Sequence, residues 1–524
     1  MTAVAKDKGI NNQQENYQIP LESSLTSSKK ISIRKSNQTV SPISRKIKVN
    51  RKGWTIRAIT IIILVSLIAL YIYYGLTNPK GNFIMIYTSI IISISIIIYI
   101  FSWIFYRNPT TPSNTTHNYL SSLYHLDSNL NNKEVLVSVI IPIYNQNKLI
   151  ENVIDSVFNS TYKNIEVIAV NDGSIDGTDK ILDYLKVHRY PQLKVIHKSN
   201  GGKRKAVSSG FMRSQGQYII LMDSDSIIDN NAISEFVKVF DSESSVGSVA
   251  GHTKIWNADK NFITKCQDSW YDFEHNVFKS CESYFGNVTC CSGCLAGYRR
   301  KAIESIMSIW NSENNYLNDK NKLKIENIVL EERKSSNKIK ECMLSFFISI
   351  QNNLLVNLLD YDDSEDRCLT TCCLFKWKSV YLSTAFVFTE APDTIKNYLK
   401  QQKRWKKGYL RASMFASTFF YKKKNPVISL LFYTGFIMAI ISPIITPLAL
   451  LYNVFVLHEM IAPLSLIGGF LAIGFLEGID YKMRDNNSTN WFYKPIMNLL
   501  LSFIVSWLIF SAILNIRKNV WLTR

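Results

Sequence analysis

Ile165-Glu166-Val167-Ile168-Ala169-Val170-Asn171-Asp172-Gly173-Ser174 is an apolar run that stops on a carboxylate and a glycine. Its β-branched residues predict a buried strand, and Asn-Asp-Gly-Ser predicts the turn that ends it. Val137-Ser138-Val139-Ile140-Ile141-Pro142, Leu193-Lys194-Val195-Ile196 and Tyr218-Ile219-Ile220-Leu221-Met222 are further short apolar runs, while Glu151 to Phe158 has helical spacing. Strands alternating with helices predict an α/β domain with a mostly parallel, Rossmann-like sheet and right-handed crossovers. Ligands of such sheets bind beyond the carboxyl ends of the strands, where Asp172 and Asp223 fall.

Apolar blocks flank this domain at about Trp54–Tyr74, Phe83–Phe105, Val427–Leu457, Ala462–Ile479 and Ile496–Ile516. Each approaches or exceeds the roughly 20 residues a membrane-spanning helix needs. Asn78-Pro79-Lys80-Gly81-Asn82 makes a tight turn between the first two, which predicts a helical hairpin. Pro443 and Pro447 predict a kink or a re-entrant path in the third block. The organisation expected is a polar basic tail (1–52), a membrane hairpin (53–106), an α/β domain (134–415) with an insertion at about 311–363, membrane or interface helices (416–516) and a short tail (517–524).

Of the 524 residues 47% are hydrophobic and 19% charged, too apolar for a disordered chain and too charged for a pure membrane bundle. The formal charge is +19, but Lys29, Lys30, Arg34, Lys35, Arg45, Lys46, Lys48, Arg51 and Lys52 crowd ahead of the first apolar block. That is the positive-inside pattern of a cytoplasmic N-terminus beside a lipid bilayer, and no nucleic-acid motif accompanies it. The first 50 residues are Ser/Asn/Lys-rich, predict disorder and show no cleavable signal peptide. Lys482, Arg484 and Lys494 mark a cytoplasmic link, and Arg517, Lys518 and Arg524 a basic tail. Three simple crossings cannot put both inside, so an even number is expected, with one block split or lying in the interface. Cys290, Cys291, Cys294, Cys368, Cys372 and Cys373 lack paired Cys-x-x-Cys knuckles and read as small buried hydrophobes.

Four stretches carry chemistry. Asp223 and Asp225 in Asp223-Ser224-Asp225 face one side of an extended chain and suit a hard divalent ion, Mg2+ or Mn2+, shared with diphosphate oxygens. A solvated turn is the plainer alternative. Gly201-Gly202-Lys203-Arg204-Lys205 allows close backbone approach and offers Lys203 and Arg204 to phosphate; a simple basic turn would look the same. In Ser364-Glu365-Asp366-Arg367 either carboxylate can serve as a general base, Asp366 being the candidate and Glu365 its rival. Gln401, Arg404 and Trp405 in Gln401-Gln402-Lys403-Arg404-Trp405 share a helix face. The indole is a plate for a sugar ring and Gln and Arg are ligands for diphosphate, unless the group is an interfacial anchor.

Together with Ser283-Tyr284-Phe285-Gly286, Cys290-Cys291-Ser292-Gly293-Cys294, Tyr298-Arg299, Glu365-Asp366-Arg367-Cys368-Leu369-Thr370 and Trp521-Leu522-Thr523-Arg524, these motifs resemble the processive family-2 glycosyltransferases of GT-A fold. Within that group they look like hyaluronan synthases and rhizobial chitooligosaccharide synthases. The resemblance implies that Asp172 and Asp223 hold uridine, Asp225 the metal, Asp366 the acceptor proton, Trp405 the acceptor sugar and Arg524 the diphosphate, with Cys290 and Trp521 also touching substrate. It implies a membrane enzyme with a cytoplasmic catalytic domain that adds sugars from UDP-GlcNAc and UDP-GlcA to a growing polysaccharide and exports it. The alternatives are a chitin-type synthase using UDP-GlcNAc alone, a non-processive dolichol-type sugar transferase, or, from another class, a membrane transporter with a degenerate soluble domain. The chain departs from the group at Cys294, where Pro is usual, at Ser364-Glu365-Asp366, where Gly-Asp-Asp or Gly-Glu-Asp is common, and at Cys368, where His is usual.

Overall fold

The computed structural model describes residues 51–77, 82–110, 134–311, 338–359, 364–458 and 460–516. The expectations for the basic tail, for much of the insertion and for Trp521 and Arg524 fall outside these residues. Eight strands form one sheet: β1 (Val137–Ile143), β2 (Ile165–Asp172), β3 (Lys194–Lys198), β4 (Tyr218–Leu221), β5 (Ile227–Ile228), β6 (Val246–Ile255), β7 (Ala296–Arg299) and β8 (Lys378–Thr389). Their order is β3-β2-β1-β4-β7-β6-β8-β5. The half containing β1 to β4 is parallel, as the alternation of strands and helices predicts. The other half is mixed: β6 pairs with β8 in parallel, whereas β7 runs antiparallel to both β4 and β6, and β5 antiparallel to β8, so the sheet is mostly but not wholly parallel. The chain between β6 and β7 returns to the sheet edge it left and makes no crossover, a feature that an apolar run does not encode.

Both faces of the sheet are covered, which is why its central strands read as continuous apolar runs. Ile140, Ile168, Val170 and Ile219 pack with Val207 and Trp310, residues of the helices Lys203–Met212 and Arg300–Asn311. Their neighbours Val139, Ile141, Val167, Ala169 and Ile220 point the other way, against Val153, Leu182 and Phe236. The period of two along each strand thus builds two cores and aims the strand ends at one edge. β2 ends on Asp172, and β4 ends at Leu221, just short of Asp223. Asp223-Ser224-Asp225 is a turn and not extended chain: the Ser226 N–H donates to the Asp223 carbonyl at 3.2 Å. The relation between the two carboxylates is therefore set by that turn rather than by strand alternation.

Among the described residues five helices are long and apolar enough to cross a membrane: Gly53–Thr77, Met85–Phe105, Pro426–Phe455, Pro463–Arg484 and Asn490–Leu514. The block with Pro443 and Pro447 is one unbroken helix, neither split nor re-entrant. The last block is irregular instead, passing from a 3-10 turn (Asn490–Tyr493) through the helix Lys494–Leu500 and a π turn (Leu501–Val505) to the helix Leu508–Leu514. Buried ions tie these helices to the α/β domain. Asp480 accepts from Arg57 at 3.0 Å and pairs with Arg484, which also reaches Asp272. Glu477 accepts from Tyr99 at 2.5 Å and from Asn498 at 2.9 Å, and pairs with Lys494 at 3.0 Å. Such charges are tolerated in apolar surroundings because each has a partner. Cys291, Cys368 and Cys373 are core residues, and Leu355, Leu358 and Leu359 of the inserted helix Lys338–Leu359 join the same core.

Candidate active site

Asp172 is 1% exposed, and its carboxylate accepts from the backbone N–H groups of Gly201 (3.0 Å) and Gly202 (2.9 Å) and from Lys198 Nζ (2.5 Å). Gly202 sits at φ +90°, where a side chain would strain the backbone. The carboxylate at the end of β2 thus clamps the glycine loop and fixes the start of the helix Lys203–Met212. Lys203 is thereby placed between two acids, with Nζ 2.5 Å from Asp223 Oδ1 and in contact with Glu365 Oε1. Burial alone would lower the Lys203 pKa, but Asp223 and Glu365 raise it above its ordinary value, so the ammonium stays charged. Burial pushes the Glu365 carboxyl up, against the opposing pull of Lys203.

Asp366 follows Glu365 in the first turn of the helix Glu365–Lys376, where the helix dipole favours a carboxylate. Its Oδ2 accepts from the Gly293 N–H at 3.1 Å and from Cys290 Sγ at 3.8 Å, and its Oδ1 from the Arg367 N–H at 2.7 Å. One cavity is lined by Lys203, Asp223, Gly293, Glu365 and Asp366, over a floor that includes Leu221 and Tyr298. Asp225 Oδ1 accepts from Ser226 Oγ at 3.2 Å and Thr389 Oγ1 at 3.4 Å. Cys294 faces the same two aspartates; burial and the charges of Asp223 and Asp225 push its thiol up to about 12.

Sequence motifs read from four separate stretches therefore meet, with Lys203, Asp223, Asp366 and Cys290 at one cluster. Arg204 does not join it. That guanidinium is 3% exposed, lies 5.1 Å from the Trp310 ring and donates to the carbonyls of Leu358 and Leu359, which ends the inserted helix. Gln401, Arg404 and Trp405 do lie on a helix, Ile395–Ala416. Trp405 stacks on Trp270 with centroids 5.9 Å apart and rings inclined at 30°, beside Tyr271, Ile255 and Ala391. Gln401 Oε1 is buried and has no hydrogen-bond partner among the described residues. Sequence reasoning missed Trp270, which stands in no local motif, and Thr389 at the end of β8.

It also missed Glu282, whose carboxylate accepts from the Thr289 N–H (3.1 Å) and Thr289 Oγ1 (2.7 Å), next to Cys290. Burial pushes this carboxyl up from 4.5 to about 7, with the Thr289 donors opposing. Because the folded value is raised, the stability Glu282 contributes is complete below pH 4.5 and is lost as the pH rises through 7. The order of the loop runs the opposite way, since the carboxylate accepts both Thr289 bonds at full strength whereas the protonated carboxyl weakens or reverses one of them. Glu282→Gln is expected to flatten the fall of turnover on the acid side of pH 7 and to flatten the melting temperature between pH 4.5 and 7, as read from paired pH–rate and pH–melting profiles.

Residues 138–307 match the protein family described as Glycosyl transferase family 2. The hyaluronan synthase of Streptococcus pyogenes is 28% identical over 400 residues, covering 74% of this chain and 83% of that protein. An N-acetylglucosaminyltransferase of Rhizobium meliloti (strain 1021) is 28% identical over 285 residues, covering 53% of this chain and 57% of its own length. Human hyaluronan synthase 3 is 26% identical over 250 residues, 47% of this chain and 37% of that one. Among solved structures, a mannosyltransferase of Pyrobaculum calidifontis, in complex with GDP-Man and Mn2+, covers 71% of this chain and 88% of its own at 16% identity and a TM-score of 0.44. Residues 138–307 match a family-2 glycosyltransferase domain, and the chain that carries them, with five helices among its described residues long and apolar enough to cross a membrane, is a glycosyltransferase similar to the hyaluronan synthases and to a rhizobial N-acetylglucosaminyltransferase.

Proposed function

We propose that this enzyme is a processive, inverting hyaluronan synthase that uses UDP-GlcNAc and UDP-GlcA in alternation and passes its polymer through the cell membrane. The observation that carries this reading is the cavity that Lys203 and Asp223 of the family-2 domain line together with Asp366, which follows that domain in the chain. Glu365 is buried and paired with Lys203, whereas Asp366 is only partly covered and forms no ion pair among the described residues, which favours Asp366 over its neighbour as the base. In the reaction Asp366 takes the proton of the acceptor hydroxyl, whose oxygen bonds the anomeric carbon as the bond to the diphosphate breaks and UDP leaves. Asp172 and Asp223 hold the uridine side, Lys203 and the Gln401/Arg404 pair meet the diphosphate, and Trp405 stacks on the acceptor sugar.

The hard oxygens of Asp223, Asp225 and Thr389 fit Mg2+ or Mn2+. Among the described residues no third Asp, Glu, His or Cys completes an all-protein site, as suits an ion that takes its other ligands from diphosphate and water. When bound, the ion supplies charge neutralisation to the departing UDP. Trp521 and Arg524 belong to a tail that we place at the same site, with the catalytic domain cytoplasmic. The last apolar block supports an even number of crossings: Met497 and Val505 pack on Cys266 and Tyr398, and Ile509 and Ala512 on Leu410, so it lies along the catalytic domain.

Purified protein given radiolabelled UDP-GlcNAc is expected to make long polymer only when UDP-GlcA is added. Polymer from UDP-GlcNAc alone would assign the chitin-type reading, which the rhizobial similarity favours. Sugar transfer without chain growth would remove processivity.

A further inference from the structure

The helices Ile395–Ala416 and Glu365–Lys376 touch where Gly408 faces Ser364: a Cβ on Gly408 would fall well inside contact distance of both Oγ and Cβ of Ser364. Glycine inside a helix is unfavourable by propensity, so its place here answers to the contact. Ser364 is the N-cap residue of its helix, a position at which a serine hydroxyl ordinarily accepts a backbone N–H of the first turn. Here the hydroxyl makes no cap bond, and the residue is 8% exposed. One step along the same seam the Arg367 guanidinium lies 5.5 Å from the Tyr409 ring. Between these two contacts stand Glu365, held by Lys203, and Asp366, held by the Gly293 N–H.

We propose that Gly408 is a positioning residue for glycosyl transfer: its missing side chain lets Ser364 seat against the helix that carries Gln401 to Trp405, and that seat sets where Asp366 stands in the cavity. The inference rests on the reading of Asp366 as the base. A methyl group at position 408 cannot be relieved by turning the Ser364 hydroxyl, because the Ser364 Cβ is also too close. Ser364 must move, and the first turn of its helix moves with it.

The test is Gly408→Ala in the full-length enzyme, with turnover, donor KM and UDP affinity measured separately. Turnover is expected to fall ~10-fold or more, since reacting groups tolerate little misplacement. Donor KM and UDP affinity should change much less than turnover, because Lys203 keeps its contact with Asp223 when the Glu365 turn shifts, a split that general loosening of the fold would not give. In a Ser364→Gly background the same substitution should cost nothing, because both crowding atoms of the serine are gone. Wild-type turnover in Gly408→Ala, or a loss of equal size in the Ser364→Gly background, overturns the proposal. If Gly408→Ala does not fold, the double variant is expected to fold and to turn over like Ser364→Gly; its failure to do so is equally decisive against the contact. An inactive Asp366→Asn beside an unaffected Gly408→Ala would sink the positioning role alone, whereas an active Asp366→Asn would sink the base itself.

Discussion

Asp366→Asn is expected to lower turnover at least ~10²-fold, the usual scale for a lost general base, while UDP binds nearly as before. The substitution keeps the shape of the side chain and an oxygen that can accept from the Gly293 N–H, so the loop 290–294 has no reason to move. Of the three carboxylates that line the cavity, what disappears is the one that does not pair with Lys203 among the described residues, because Glu365 and Asp223 share that ammonium. Glu365→Gln should behave differently. It removes one charge from the Lys203 pair and should weaken donor binding more than the chemical step. Calorimetric UDP titrations beside initial rates separate the two patterns. If Glu365→Gln loses turnover with binding intact and Asp366→Asn does not, the base is the neighbour.

The strands that carry the site were legible because both faces of the sheet are buried, which turns β1, β2 and β4 into apolar runs, the last two with an acid at or just beyond their ends. Strand direction was not legible, since β7 is short and its antiparallel course depends on where the preceding connection returns. Asp172 shows a subtler limit. Its place at a strand end was readable, but its grip on Gly201 and Gly202 lies 29 and 30 residues along the chain, a pairing that only the closed parallel sheet creates. Arg204 and Lys203 are adjacent in sequence and look equivalent as phosphate ligands. A helix sends neighbouring side chains about 100° apart, so one enters the cavity and the other ends a buried helix. Trp270 and Gly408 could not have been singled out, because each acquires meaning only from the partner it meets, Trp405 in one case and Ser364 in the other.

Removal of divalent metal with EDTA is expected to abolish UDP release, and Mn2+ or Mg2+ to restore it. Asp223, Asp225, Glu365 and Asp366 bring four carboxylates to one end of the sheet, and Lys203 answers two of them. A donor diphosphate adds more negative charge to the same place, and without a further cation its binding works against the carboxylates that hold it. Asp225 is the acid best placed to carry that cation, since it shares the Asp223-Ser224-Asp225 turn with Asp223 and its Oδ1 lies beside the hard oxygens of Ser226 and Thr389. Asp225→Asn should therefore lower turnover by ~10²-fold or more, the range seen when a stabiliser of developing charge is removed. It should also raise the metal concentration needed for half-maximal UDP binding, measured by titration without turnover. Lys203→Met makes the contrasting case: it should weaken UDP binding even at saturating metal, and, by releasing Asp223, it should not raise the metal concentration needed. Full activity in EDTA, or an Asp225→Asn enzyme whose metal dependence is unchanged, would take the ion away from this turn and leave Lys203 as the cation that meets the leaving diphosphate.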